Sequence, residues 1–578
     1  MKDNAVSNLR RRDSFKYVIV GEGVLIGLIA GALISVFRMM LIGAERARDL
    51  AGEYARGGAG SAVIIAVVLV VIAAVICALL GWEPEIAGSG IPQVEAELRG
   101  QKDMKWLRVI AGKMIGCALA IGGGLALGRE GPSIQLGAMV GKGFSRAGHR
   151  LLTEERLLIT CGAGAGLSAA FGAPLAGAIF ALEELHRNFS AEVLLSTMAA
   201  SAASDFVAAN IFGLEPVFGI GVEHSLPLTQ YWAVILLGIV LGFFGIIYNK
   251  TISLMQDAFD KIGRVFAAAA DKLPGGSSYN LTDSKLNVSG ERAARMGKLV
   301  TAFAFAFILL FIYPKALGSG SFLVEEISNG EFTLGALAVL LLIKFLFSTA
   351  SFGSGSPGGI FLPLLVLGAV TGGLCADVLA LAGFDNRYIT AMVIIGMAGY
   401  FSAIVRAPVT GVILITEMTG DFTCLLPLVL ASLIAYLIPE YFRVEPIYTQ
   451  LLHRSQRTAK GKATGVVRNA AYARRSSGSG SLNSYTNNAY ARSGLTTQGR
   501  KTIIDAEVHI GSHMDGRSVM EFGLPMGTLI VSVIREGVEI IPDGHTILRG
   551  GDELEILTRE SDLEDAEAII DERCKVIE

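Results

Sequence analysis

The chain is expected to fold as an all-α polytopic membrane domain, built from two related halves with broken helices and followed by a small α+β domain. Three observations lead there. Of its 578 residues 52% are hydrophobic and only 17% charged, with a mean hydropathy of +0.54. That is too little charge to cover a soluble protein of this length. Apolar runs recur, clearest over 17–40, 59–80, 299–312, 334–347 and 425–438. Several approach the roughly 20 residues that cross a bilayer core as helix, and others are shorter or broken by glycine.

The third observation is an internal repeat. GWEPEIAGSG at 81–90 matches IYPKALGSG at 312–320, which pairs Pro84 with Pro314 and Ser89 with Ser319 at an offset of 230. Gly128–Pro132 then matches Gly359–Pro363 at 231, a register that also pairs Lys113 with Lys344. Further on, Ser168, Pro174 and Glu183 match Ser402, Pro408 and Glu417 at 234. An offset that grows in small steps is what duplicated halves with loop insertions should show. Whether the halves are inverted depends on an odd helix count, which the sequence counts only loosely.

Three zones follow along the chain. A membrane body runs from 16 to 453, with halves at about 16–215 and 230–453, after a short N-terminus of 1–15. Residues 454–502, rich in Ser, Gly, Asn and Arg, read as a disordered linker. The tail, 503–578, carries 18 acids against 6 bases. It alternates as short strands over 503–510, 528–534, 538–541 and 553–558, with a hairpin turn at Arg535-Glu536-Gly537 and a final acidic helix from about Ser561. Basic residues crowd the N-terminus (Lys2, Arg10, Arg11, Arg12, Lys16), and 454–501 holds ten Lys or Arg and no acid. By the positive-inside rule both termini face the cytoplasm.

Several function classes fall away. The six cysteines lack CxxC spacing and the seven histidines do not cluster, so no metal or disulfide framework and no cofactor is expected. His509 and His513 read as a solvated strand face. Gly353, Gly355 and Gly358 fit GxGxxG, but their context is an apolar helix with Pro357 in the loop, not a βαβ unit. No Ser-His-Asp or phosphate-loop constellation points to an enzyme, and no TVGYG-type filter points to a potassium pore. Nothing suggests nucleic acid as a partner.

What remains is a set of Gly- and Pro-containing breaks inside apolar stretches: Gly88–Pro92, Gly128–Pro132 and Gly353–Pro363. Proline favours the first turn of a helix, so each break suggests a helix starting at mid-membrane depth. Such an end offers unpaired N–H groups and about half a positive charge. Converging ends would hold an anion without a buried Lys or Arg, and weakly enough to release it. The alternative is that these glycines only permit close helix packing. Glu130, a carboxylate at one such end, could act as a surrogate anion that loses its attraction on protonation. The alternative there is a helix-capping acid.

GSGIP, GREGP and GGIFLP, in this order and spacing, resemble the signature segments of the CLC chloride channels and proton-coupled transporters, over about residues 16–453. The resemblance implies a homodimer in which each subunit holds its own pathway within two inverted-topology repeats. It implies that Ser89 offers a hydroxyl to the central anion, that Ile360 and Phe361 offer backbone amides, and that Tyr448 closes the site from the cytoplasm. A serine at position 89 implies a preference for chloride over nitrate. Glu130 resembles the gating glutamate, and Glu184 matches the inner proton-relay glutamate of the exchangers, whereas Glu183, which repeats as Glu417, reads as a structural acid. Having both glutamates favours a chloride/proton antiporter, the alternative being a passive chloride channel on the same fold. The tail resembles the TrkA C-terminal (RCK-C) domain along Met526–Val531, Pro542–Gly544 and Gly550–Leu554, which implies a regulatory role, an unidentified small-molecule ligand and a prokaryotic inner membrane.

Overall fold

The computed structural model describes residues 2–150, 152–187, 190–222, 224–270, 284–456, 501–509, 511–525, 527–535, 538–559 and 563–574. The chain divides into two compact units, 1–473 and 474–578. In the first unit the leading half holds α1 (Lys2–Arg56), α2 (Ala59–Trp82), α3 (Ile91–Leu98), α4 (Trp106–Gly122), α5 (Glu130–Ala147), α6 (Leu152–Phe171), α7 (Pro174–Phe180) and α8 (Ala191–Phe212). The trailing half holds α9 (Tyr231–Ala270), α10 (Ser284–Ile312), α11 (Phe322–Ser328), α12 (Leu334–Gly353), α13 (Phe361–Ala380), α14 (Ile389–Val405), α15 (Pro408–Thr419) and α16 (Leu425–Tyr441). A last helix, α17, covers 447–456.

Among the described residues eight helices are long and apolar enough to cross a membrane. Their burial sorts them by environment rather than by composition. The most apolar stretch of α2 is only 22% buried, while that of α14 is 83% buried. In water the exposed helix would be the polar one; here Val63, Val67 and Val71 face outward, as a lipid solvent requires.

The repeat expected from the sequence is present in three dimensions, element for element. Lys113 of α4 is fully buried and donates to the carbonyls of Ile86 at 3.0 Å and Gly88 at 2.7 Å. Lys344 of α12 is likewise buried and donates to Ala316 at 3.0 Å and Gly318 at 2.7 Å. An ammonium can be buried when its donors are satisfied in this way. Helix crossings repeat as well. A Cβ at Gly137 would collide with the carbonyl of Gly162, joining α5 to α6, and one at Gly368 would collide with that of Gly396, joining α13 to α14. The packing reading of glycine therefore holds at these positions, and it does not exhaust the others.

The halves also meet reciprocally. The Glu183 carboxylate accepts the N–H groups of Val409 and Thr410 at the start of α15, while Glu417 accepts those of Leu175 and Ala176 at the start of α7. Gly128 and Gly359, equivalent residues, pair antiparallel. Equivalent residues that meet antiparallel lie about a two-fold axis, which exchanges the ends of the halves and gives the inverted topology. Each acid satisfies orphan donors and complements the helix dipole, so Glu183 is the structural acid that its repetition suggested.

The second unit is a four-stranded antiparallel sheet of order β1-β4-β2-β3, made of β1 (Lys501–Glu507), β2 (Leu529–Arg535), β3 (Val538–Ile540) and β4 (Glu553–Arg559), followed by α18 (Leu563–Cys574). Val508, Phe522, Ile530, Val533, Leu554 and Ile556 form its core. Asp552 is buried and takes a bidentate pair from Arg535, 2.8 Å from Nε and 2.7 Å from a terminal nitrogen, plus the Arg549 N–H. His509 and His513 are exposed. The expected turn residues Glu536 and Gly537 lie outside the described residues, as does most of the expected linker.

Candidate functional site: an anion path between broken helices

The three sequence breaks come together. Gly128 N–H donates to Gly359 at 2.7 Å, Gly359 N–H donates back to Gly128 at 2.8 Å, and Gly358 N–H donates to Gly88 at 3.0 Å. These bonds pin the starts of α3, α5 and α13 to one another. α3 starts one residue before its proline, whereas α5 and α13 start two before theirs, at Glu130 and Phe361. Proline is tolerated there because first-turn N–H groups have no intrahelical acceptor.

Ser89, just before α3, is buried with a hydroxyl that has no partner among the described residues. It lies so near α5 that a Cβ on Gly131 would collide with it. Only glycine lets α5 start this close. Glu130 is fully buried; one carboxylate oxygen accepts the Leu362 N–H at 3.3 Å, and the other has no partner among the described residues. The side chain from the leading half thus sits on the N-terminus of α13 from the trailing half, where a free anion would sit.

Ile360 and Phe361 begin that same helix, and the Phe361 ring packs against Phe171, Phe180 and Phe401. Tyr448, on α17, is fully buried, its phenol without a hydrogen-bond partner among the described residues and electrostatically within reach of both Glu184 and Glu130. A hydroxyl, a phenol and two helix-start N–H groups are donors of the kind a desolvated anion needs.

Glu184 lies in a π-helical segment, Ala181–His186. The wider turn separates two adjacent acids: Glu183 reaches α15, while Glu184 stays buried with one oxygen lacking a hydrogen-bond partner among the described residues. Arg187 follows in a left-handed conformation at φ 54°. Its guanidinium lies 3.9 Å from Glu184, 3.2 Å from Glu95 and 3.2 Å from the Thr449 hydroxyl. Arg99 completes the group at 2.6 Å from Glu95.

With this geometry in place, comparison with known proteins is decisive. A profile of the voltage gated chloride channel family matches residues 69–440. The chain belongs to that family. A TrkA-C domain profile matches 503–571. Among relatives of this chloride channel family member, the H(+)/Cl(-) exchange transporter ClcA of Vibrio parahaemolyticus is 31% identical over 481 residues, covering 81% of this chain and 96% of the relative. The Vibrio cholerae protein of that name is 32% identical over 476 residues, covering 80% and 94%. Among solved structures, a slow cyanobacterial Cl-/H+ antiporter aligns with a TM-score of 0.66 at 29% identity, over 76% of this chain and 97% of that one. A CLC-type fluoride/proton antiporter, at 20% identity and a TM-score of 0.59 over 75% of this chain and 97% of that one, shares the fold. The protein is a multi-pass integral membrane protein of the chloride channel family.

Within this family member all six singled-out residues, Ser89, Glu130, Glu184, Ile360, Phe361 and Tyr448, are buried. Ser89, Glu130, Ile360 and Phe361 fall at the meeting of the helix starts, and Tyr448 is within electrostatic reach of both Glu130 and Glu184. The sequence reading missed Glu95, Arg99 and Arg187. Glu95 and Arg99 carry the signal of an i,i+4 pair on a short apolar helix, but Arg187 carries none, because the π turn that aims it is not written in a periodicity.

Proposed function

We propose that this protein exchanges chloride for protons across the membrane, as a secondary active antiporter. One observation carries the reading: the buried Glu130 carboxylate sits on the N-terminus of α13, and a second buried carboxylate, Glu184, shares with it the electrostatic reach of the Tyr448 phenol. An anion needs only the helix ends and hydroxyls. A proton crossing a dry interior needs titratable stations, and two carboxylates supply them. When Glu130 is ionised it competes with chloride for the Leu362 N–H; when protonated it loses that attraction and yields the place. The exchanger names of the relatives support the same reading over a passive channel.

In this reading Ser89, Ile360, Phe361 and Tyr448 bind the anion, and Glu130 and Glu184 gate it and carry the proton. Residues 16–453 form the transport domain, 454–502 a linker and 503–578 a regulatory domain for an unidentified ligand, with both termini in the cytoplasm of a prokaryotic cell. The protein acts as a homodimer with one path per subunit, and catalyses no covalent reaction. The test is a flux assay in liposomes that follows chloride and pH together. A chloride gradient should drive protons uphill; chloride that runs down its gradient with no proton movement contradicts the proposal.

A further inference from the structure

The two-fold axis gives the Ser89 loop a counterpart, Gly318-Ser319-Gly320, whose surroundings differ in one respect. Both loops hang from a buried lysine by the same two carbonyl bonds. Both reach across to the other half, Gly88 accepting from Gly358 at 3.0 Å and Gly318 donating to Gly124 at 3.1 Å. Both serines are buried. Yet the Ser89 hydroxyl has no partner among the described residues, whereas Ser319 points its hydroxyl at the carboxylate of Glu45 on α1, 3.5 Å away.

Glu45 is half-buried and sits among donors. Arg48, one turn further along α1, lies so close that a Cβ on Gly318 would collide with its guanidinium, and Arg48 also pairs with Asp49 at 2.9 Å. The Lys344 ammonium lies under Gly320, 2.8 Å from where a Cβ would stand. Glu45 is electrostatically coupled to Lys344 and also to Glu130. A hydroxyl aimed at the carboxylate, with a guanidinium and an ammonium flanking the same loop, makes a place for an anion, already filled by one tethered to the chain.

We propose that the Gly318–Gly320 loop is a second halide-binding loop, the counterpart of the Ser89 loop, and that the Glu45 carboxylate is the tethered anion that occupies it. The inference rests on the reading that the Ser89 loop binds the transported halide. Displacing the carboxylate would open a halide site on the α1 side of Glu130, so Glu45 governs how anions queue for that gate.

The experiment is anomalous diffraction from the full chain in bromide, comparing wild type, Glu45→Gln and Glu45→Gln/Ser319→Ala. Wild type should show bromide at Ser89 and none at Ser319. Glu45→Gln should add a peak at Ser319, and the double variant should lose it again. Bromide at Ser89 but not at Ser319 in Glu45→Gln overturns this inference and leaves the Ser89 reading standing. Bromide at Ser319 in wild type also overturns it, because Glu45 would then not be the occupant. An empty Ser89 loop in every crystal overturns the underlying reading instead. Should Glu45→Gln fail to fold, Glu45→Ala read by calorimetry should bind one more halide per subunit than wild type, and an unchanged stoichiometry counts against the inference.

Discussion

Glu130 is the first residue of α5; the residue in its place at the start of α13 is Phe361. Glu184 lies in the π-helical segment after α7; its counterpart on α15 is Met418. In their scaffolding the halves agree. Lys113 and Lys344 hold equivalent carbonyls, Glu183 and Glu417 cap each other's helices, and Gly137 and Gly368 admit equivalent crossings. What supports the backbone is duplicated, and what can carry a proton is not. Main-chain donors need only geometry, so both halves can keep them, whereas a buried carboxylate is costly and is retained where chemistry uses it.

The largest effect that could break this comparison is at Glu184. Glu184→Gln should abolish proton movement driven by a chloride gradient while chloride flux persists and keeps some sensitivity to external pH through Glu130. Glu183→Gln, one residue away, should keep coupling and instead lower thermal stability, by about 1–3 kcal/mol for a weakened charged cap. Coupling lost in the Glu183 variant and kept in the Glu184 variant would reverse the roles.

Next come the lysines. Lys113→Met and Lys344→Met each strand two buried carbonyls, and each should destabilise the protein by roughly 2–5 kcal/mol in thermal unfolding. Similar losses support duplicated scaffolding; a large loss in one and none in the other breaks the equivalence. Ser89→Pro should raise nitrate relative to chloride by about fivefold, from loss of one hydroxyl donor worth about 1 kcal/mol, as read in competition flux. An unchanged anion ranking would remove Ser89 from the path.

The smallest effect lies in the tail, which has no repeat to compare. Burial pushes the Asp552 carboxyl up, but the Arg535 pair and the Arg549 N–H outweigh it and hold the group below its ordinary value. A depressed carboxylate stabilises above its unfolded pKa of about 3.9 and loses that contribution as pH falls through the lower folded value. Acid unfolding of the tail should therefore shift to higher pH in Asp552→Asn, monitored by circular dichroism of the 503–578 unit within the full chain. An unshifted acid midpoint would mean that the pair contributes nothing.

Much of this was legible in the sequence for a physical reason. A bilayer forces long apolar runs, glycine marks close backbone approach, and proline marks helix starts, so the halves, their register and the Ser89, Glu130 and Phe361 segments could all be placed. The tail strands also fell close to their expected spans, because period-two alternation and turn residues encode them locally. The Glu95, Arg99 and Arg187 group was not legible, since it depends on the π turn after α7 and on a left-handed arginine. Nor was the pairing of Glu45 with Ser319, which joins residues 274 apart on an axis that only three dimensions reveal.

The central claim is that one carboxylate of the leading half, resting on a helix start of the trailing half, couples the two ions. Glu130→Gln in liposomes, with chloride and pH followed together, tests it most directly. Chloride should continue to move and should lose its dependence on pH, while uphill proton movement stops. Proton pumping that survives in the Glu130→Gln protein would contradict the account.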